Sequence, residues 1–128
     1  MPIAVTRNDD LRCVTVKISD PWSVEEVAVA ADRQVSQQAW RYGTLLDLRG
    51  SAWVPSEPDL MWLVTRGQQQ HALNGARGPV AVVFDRDTST SLVQHCLQYG
   101  SVSSGEPARA FDDGAAAVEW LAAHPVAG

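Results

Sequence analysis

Five consecutive residues without a polar side chain, Val80-Ala81-Val82-Val83-Phe84, lie between Gly78-Pro79 and the acidic turn Asp85-Arg86-Asp87. A strand that faces water on one side alternates apolar and polar residues. An unbroken apolar run this short, bounded by turn residues, fits a strand buried on both faces. Such strands belong to a mostly parallel sheet with helices on its two sides. Gly43-Thr44-Leu45-Leu46-Asp47-Leu48 is a second, mostly apolar run that fits a strand buried on both faces, and Ala108-Arg109-Ala110-Phe111 reads as a short strand.

The rest of the chain fills in around these strands. Ile3-Ala4-Val5, a turn at Asn8-Asp9-Asp10 and the alternating, β-branched stretch Leu11–Ile18 read as a β-hairpin. Ser23 and Glu26 have the spacing of a capping box, and Val24, Val27, Ala28, Ala31, Val35 and Ala39 then recur at helical spacing to about Trp40. Ser56-Glu57-Pro58-Asp59 starts a second helix, with Ser as cap, Pro in the first turn and two acids on the positive end of the dipole. Its inner stripe is Leu60, Leu63, Val64 and Gly67. Thr88 or Ser89 starts a third helix with Leu92, Val93, Cys96 and Leu97 inward, ended by Gly100 and followed by a Ser101–Pro107 loop. Asp112 or Asp113 caps a fourth, ended by Pro125. It carries Ala117, Trp120, Leu121 and His124 on one side, with Trp120 and Leu121 expected against the sheet.

The predicted order is β-β-α-β-α-β-α-β-α: a single α/β domain over residues 1–128, with a mostly parallel five-stranded sheet, an antiparallel N-terminal hairpin strand and four helices. A chain of 128 residues can bury roughly two-thirds of its unfolded surface, enough for a core without staples.

Charge excludes one class of partner. Ten basic residues against 15 acidic give a net charge of −5, whereas phosphate-backbone binding is driven by basic surface, so no nucleic-acid partner is expected. No apolar run approaches the roughly 18 residues of a membrane span, and the Met1–Arg7 stretch has no apolar secretory core. A cytoplasmic protein with Cys13 and Cys96 reduced and buried is expected.

Three stretches, in this order, resemble the STAS / SpoIIAA-like superfamily, in particular its bacterial SpoIIAA-like or STAS/SEC14-type branch. Leu45-Leu46-Asp47-Leu48 looks like the family's third strand, and Val80-Ala81-Val82-Val83 like the strand after its second helix. Phe111-Asp112-Asp113 followed by Ala117-Val118-Glu119-Trp120-Leu121 is similar to its closing pattern. The resemblance implies a non-enzymatic regulatory domain working through protein–protein contact or self-association, including homodimers. Its SEC14-type relatives imply an alternative, a carrier or sensor of a small apolar, lipid-like ligand. In antagonists of anti-sigma factors, a Ser after the third strand is phosphorylated. The matching position is Ser56, flanked here by Pro55, Glu57 and Pro58 where the family has Asp, Ser and Gly.

Five Trp are many for this length. Trp53 and Trp62 bracket the Ser56 loop, and Trp62 lies off the apolar stripe of its helix, with Met61 beside it. Trp53, Ser56, Met61 and Trp62 are therefore the expected partner or ligand surface. As a phosphoacceptor Ser56 competes with its plainer role as a helix cap. Asp47, Asp85 and Asp87 fall at the carboxyl ends of strands, where α/β folds bind ligands, yet turn Asp residues are common and no metal site is expected. His71, His95 and His124 lack ligand spacing, and neither a nucleophile elbow nor a phosphate loop occurs, so neither a catalytic residue nor a cofactor is expected.

Overall fold

The computed structural model describes residues 3–124. Its elements run β1 (Ile3–Asn8), β2 (Cys13–Ser19), α1 (Val24–Ser36), β3 (Gly43–Gly50), α2 (Glu57–Asn74), β4 (Val80–Val83), α3 (Thr90–Ser104), β5 (Arg109–Phe111) and α4 (Gly114–Ala123). The strands lie in the sheet in sequence order. β1 is antiparallel to β2, and β2 to β5 are parallel. This is the order expected from the sequence. The expected stop at Pro125 lies outside the described residues.

Each step from β2 to β5 moves the same way across the sheet. Right-handed crossovers therefore put α1, α2 and α3 on one face. There Val14, Val16, Ile18, Leu46, Leu48, Val80 and Val82 meet Val24, Val27, Leu60, Leu63, Leu92 and Tyr99 in the main core. Among the described residues, the opposite face is covered by α4, through Ala117 and Leu121 against Cys13, Leu45, Ala81 and Val83. Burial on both faces fits the unbroken apolar run of β4 and the mostly apolar run of β3.

Two helix ends differ from expectation. α1 stops at Ser36, not near Trp40. Gln38 turns into the left-handed region at φ 61°, and Ala39 and Trp40 are buried from the turn rather than from the helix. Trp40 is fixed there by an Nε1 hydrogen bond to the Gly75 carbonyl (2.9 Å). α3 does not end at Gly100. It continues to Ser104, and the C-cap is Gly105, at φ 77°. Gly100 is small for a packing reason: a Cβ there would stand 2.7 Å from a Val80 methyl group.

The amino-terminal end of the helical face holds a polar interior. Gln34, Thr44, Gln70, Arg77 and Tyr99 are all buried. Gln34 donates to Thr44 Oγ1 (2.9 Å) and accepts from Arg77 Nη2 (2.8 Å). Tyr99 donates to Gln70 Oε1 (3.1 Å), whose amide donates to Asp32 (3.0 Å). The Arg77 guanidinium stacks on Trp40 and Tyr99, 5.0 and 5.6 Å from the ring centres.

Candidate functional site

The expected surface lies where β3 leaves the sheet and α2 begins. Its loop is tied to the preceding β2–α1 turn. The Asp20 carboxylate accepts from the backbone N–H of Ala52 (2.7 Å) and of Trp53 (3.1 Å), and the Ser51 hydroxyl lies 3.1 Å from it. Trp22, itself buried, donates from Nε1 to Ser51 Oγ (2.8 Å). The Trp53 ring stands edge-on to Trp22 with centroids 5.3 Å apart. These contacts fix the loop without burying its aromatic residue.

Trp53 keeps 44% of its surface exposed, Met61 42% and Trp62 43%, with Val54 beside them at 36%. Beneath them α2 is filled: Leu60, Leu63 and Val64 pack into the main core. The helix turns Leu60, Leu63, Val64, Gly67 and Gln70 inward and leaves three large apolar residues outward, Met61 and Trp62 near its start and Leu73 near its end.

Ser56 is exposed and caps α2, its Oγ accepting from the Asp59 N–H (3.3 Å). Glu57 and Asp59 occupy the same first turn, so a phosphate here would meet two carboxylates. Arg49 is engaged elsewhere, in a two-point contact with Asp47 (Nε–Oδ1 3.0 Å, Nη2–Oδ2 2.9 Å).

At the carboxyl ends of the strands, Asp47 and Asp85 are each engaged within the chain. Burial alone would push the Asp47 carboxyl up, but the Arg49 guanidinium and backbone N–H outweigh it and hold Asp47 below the ordinary carboxylate range. Asp85 folds back on its own turn, accepting from the Asp87 N–H (3.0 Å) and the Thr88 hydroxyl (3.1 Å). Among the described residues, no group of three or more His, Cys, Asp or Glu could hold a metal ion. The three histidines lie apart. The ring of His71 faces the Ser103 carbonyl, that of His95 the Ser91 carbonyl, and that of His124 the Trp120 carbonyl.

A second feature has no counterpart in the sequence reading. A cleft of about 630 Å³ opens at the amino ends of β4 and β5, between the 76–79 loop, the 104–109 segment and the last turns of α4. Trp120 belongs to it. Leu121 packs under the sheet as expected, but Trp120 is only half-buried, tilted against Phe111 (5.8 Å) and His124 (4.5 Å) at the rim.

Both cysteines are buried and free. Complete burial pushes the Cys96 thiol up to about 12, and burial also raises that of Cys13. Among the described residues no helix is long and apolar enough to cross a membrane. No protein-family model matches the chain, and neither a curated protein nor a solved structure matches it.

Proposed function

We propose that this chain is a non-enzymatic, cytoplasmic regulatory module of the STAS type that binds another protein through the surface of Trp53, Val54, Met61 and Trp62. The observation that carries the reading is the exposure of Trp53 on a loop fastened by Asp20 and Trp22. A rigid, exposed indole loses little freedom on binding and brings a large apolar area to the contact. Met61 and Trp62 extend that area on the helix the loop leads into. Exposed apolar groups of this size on a small domain mark an interaction site.

The STAS reading draws on the resemblance of the three stretches and on the position of the surface, in the loop that STAS regulators use for partner contact. Ser56 serves there as the cap that starts α2 rather than as a phosphoacceptor. The alternative of a small-ligand carrier draws its support from the cleft at the other end of the sheet.

Trp62→Ala tests the reading. It should leave the melting temperature within a degree or two of wild type. It should also weaken association with the partner, or with a second copy, since an interface Trp contributes about 2 kcal/mol or more. Sedimentation and quantitative pull-down read the second effect. Loss of the fold, or association unchanged, would overturn the reading.

A further inference from the structure

We infer that the cleft at the amino ends of β4 and β5 is a binding site for a small organic anion with a flat apolar body, such as an aryl carboxylate. Its volume, about 630 Å³, lies within the range of small-molecule sites. Its walls are mainly apolar, from Pro79, Pro107, Ala108 and the half-buried Trp120, whose indole offers a face for a ring.

The charge of the site is opposite to that of the molecule. The chain as a whole carries −5, yet among the described residues Arg77 and Arg109 line this cleft against one acid, Glu106. Arg109 lies over the Phe111 ring, 5.3 Å from its centre, which holds the guanidinium on the α4 side of the sheet. Guanidinium groups match carboxylates in a two-point contact.

The state of Arg77 points the same way. It contributes to the wall at 4% exposure, and its guanidinium lies over the Trp40 and Tyr99 rings. Its Nε and Nη1 have no hydrogen-bond partner, and among the described residues no carboxylate lies within ion-pair distance. A buried cation without a counter-charge projects a positive potential that water screens poorly. An anion in the adjoining cleft is favoured by that field. The apolar wall selects against a small, fully hydrated ion, and Trp120 selects for a ring.

The test is an NMR titration of the isotope-labelled full chain with 2-naphthoate, its neutral counterpart 2-naphthamide and inorganic phosphate. Naphthoate should saturate shifts at the amides of Gly78, Ala108 and Arg109 and at the Trp120 indole, leaving the Trp53 and Trp62 indoles in place. Naphthamide should bind about tenfold more weakly, and Arg109→Ala, an exposed position, should weaken naphthoate by about the same factor. Trp62→Ala should leave naphthoate binding unchanged, which separates this site from the protein-binding surface. Equal binding of the amide, equal binding of phosphate, shifts centred on Trp53 or Trp62, or no saturable shift in the cleft would each overturn the inference.

Discussion

Trp22 and Trp53 meet edge to face, ring centroids 5.3 Å apart, one buried in the core and the other 44% exposed. The pair joins the β2–α1 turn to the β3–α2 loop and passes the rigidity of the core to a residue that faces water. Asp20 reinforces the junction with its bonds to Ala52 and Trp53. Asp20→Ala should therefore loosen the loop before it unfolds the domain. We expect a loss of about 1–2 kcal/mol, the range for a few exposed charge-assisted hydrogen bonds. Amide hydrogen exchange should accelerate at Ala52 and Trp53. Unchanged exchange there would contradict a fastened loop.

Gly67 of α2 lies against the Tyr99 ring of α3. A Cβ on residue 67 would stand 2.7 Å from Tyr99 Cδ1. The ring cannot yield easily, being fully buried with its hydroxyl on Gln70. Gly67→Ala gains up to about 1 kcal/mol of helix propensity but overpacks at a cost of about 1–3 kcal/mol. Urea unfolding should show a net loss of stability. A stabilised variant would show that the two helices can part without penalty.

The Asp47–Arg49 pair sets a pH dependence. The carboxyl of Asp47 is held below its ordinary value in the folded chain, so its stabilisation is present above the unfolded value of about 3.9. It is lost as pH falls through the lower, folded value. Asp47→Asn should be less stable than wild type at neutral pH, with the gap closing on acidification through that window. A gap independent of pH would show that the ion pair is not its source.

Both thiols should be silent in the folded protein. Burial raises Cys13, and Cys96 is pushed up to about 12, so neither supplies thiolate near neutral pH. Iodoacetamide at pH 8 should label neither in buffer and both in urea. Rapid labelling of either in buffer would place it at the surface.

The element order was legible because each of its signals is local. Period-2 alternation marked β2, a mostly apolar run marked β3 and an unbroken one β4, and the Ser23 and Ser56 caps marked two helix starts; for the other two the structure chooses Ser89 over Thr88 and Asp113 over Asp112. The ends were harder. Ala39 and Trp40 keep the helical period although the chain has left the helix, since burial from a turn looks the same in sequence. Gly100 resembles a stop because sequence does not distinguish a glycine required for φ from one required for close packing against Val80. The Asp47–Arg49 pair could have been read, since residues two apart on a strand share a face. The exposure of Met61 and Trp62 was legible from the stripe of α2; that of Trp53, on the loop before the helix, was not, since no periodicity fixes its side. The cleft was not, because Arg41, the 76–79 loop, the 104–109 segment and Trp120 have no common spacing and meet only through the fold.

Photocrosslinking at Thr65, exposed one turn beyond Met61 and Trp62, tests the central claim most directly. A photoreactive residue there is compared in cells with one at Gln94, exposed on α3, each with and without Trp62→Ala. The account predicts a discrete adduct from position 65, little or none from position 94, and loss of the adduct when Trp62 is removed. Adducts of equal yield from both positions, or an adduct at 65 indifferent to Trp62, would contradict it.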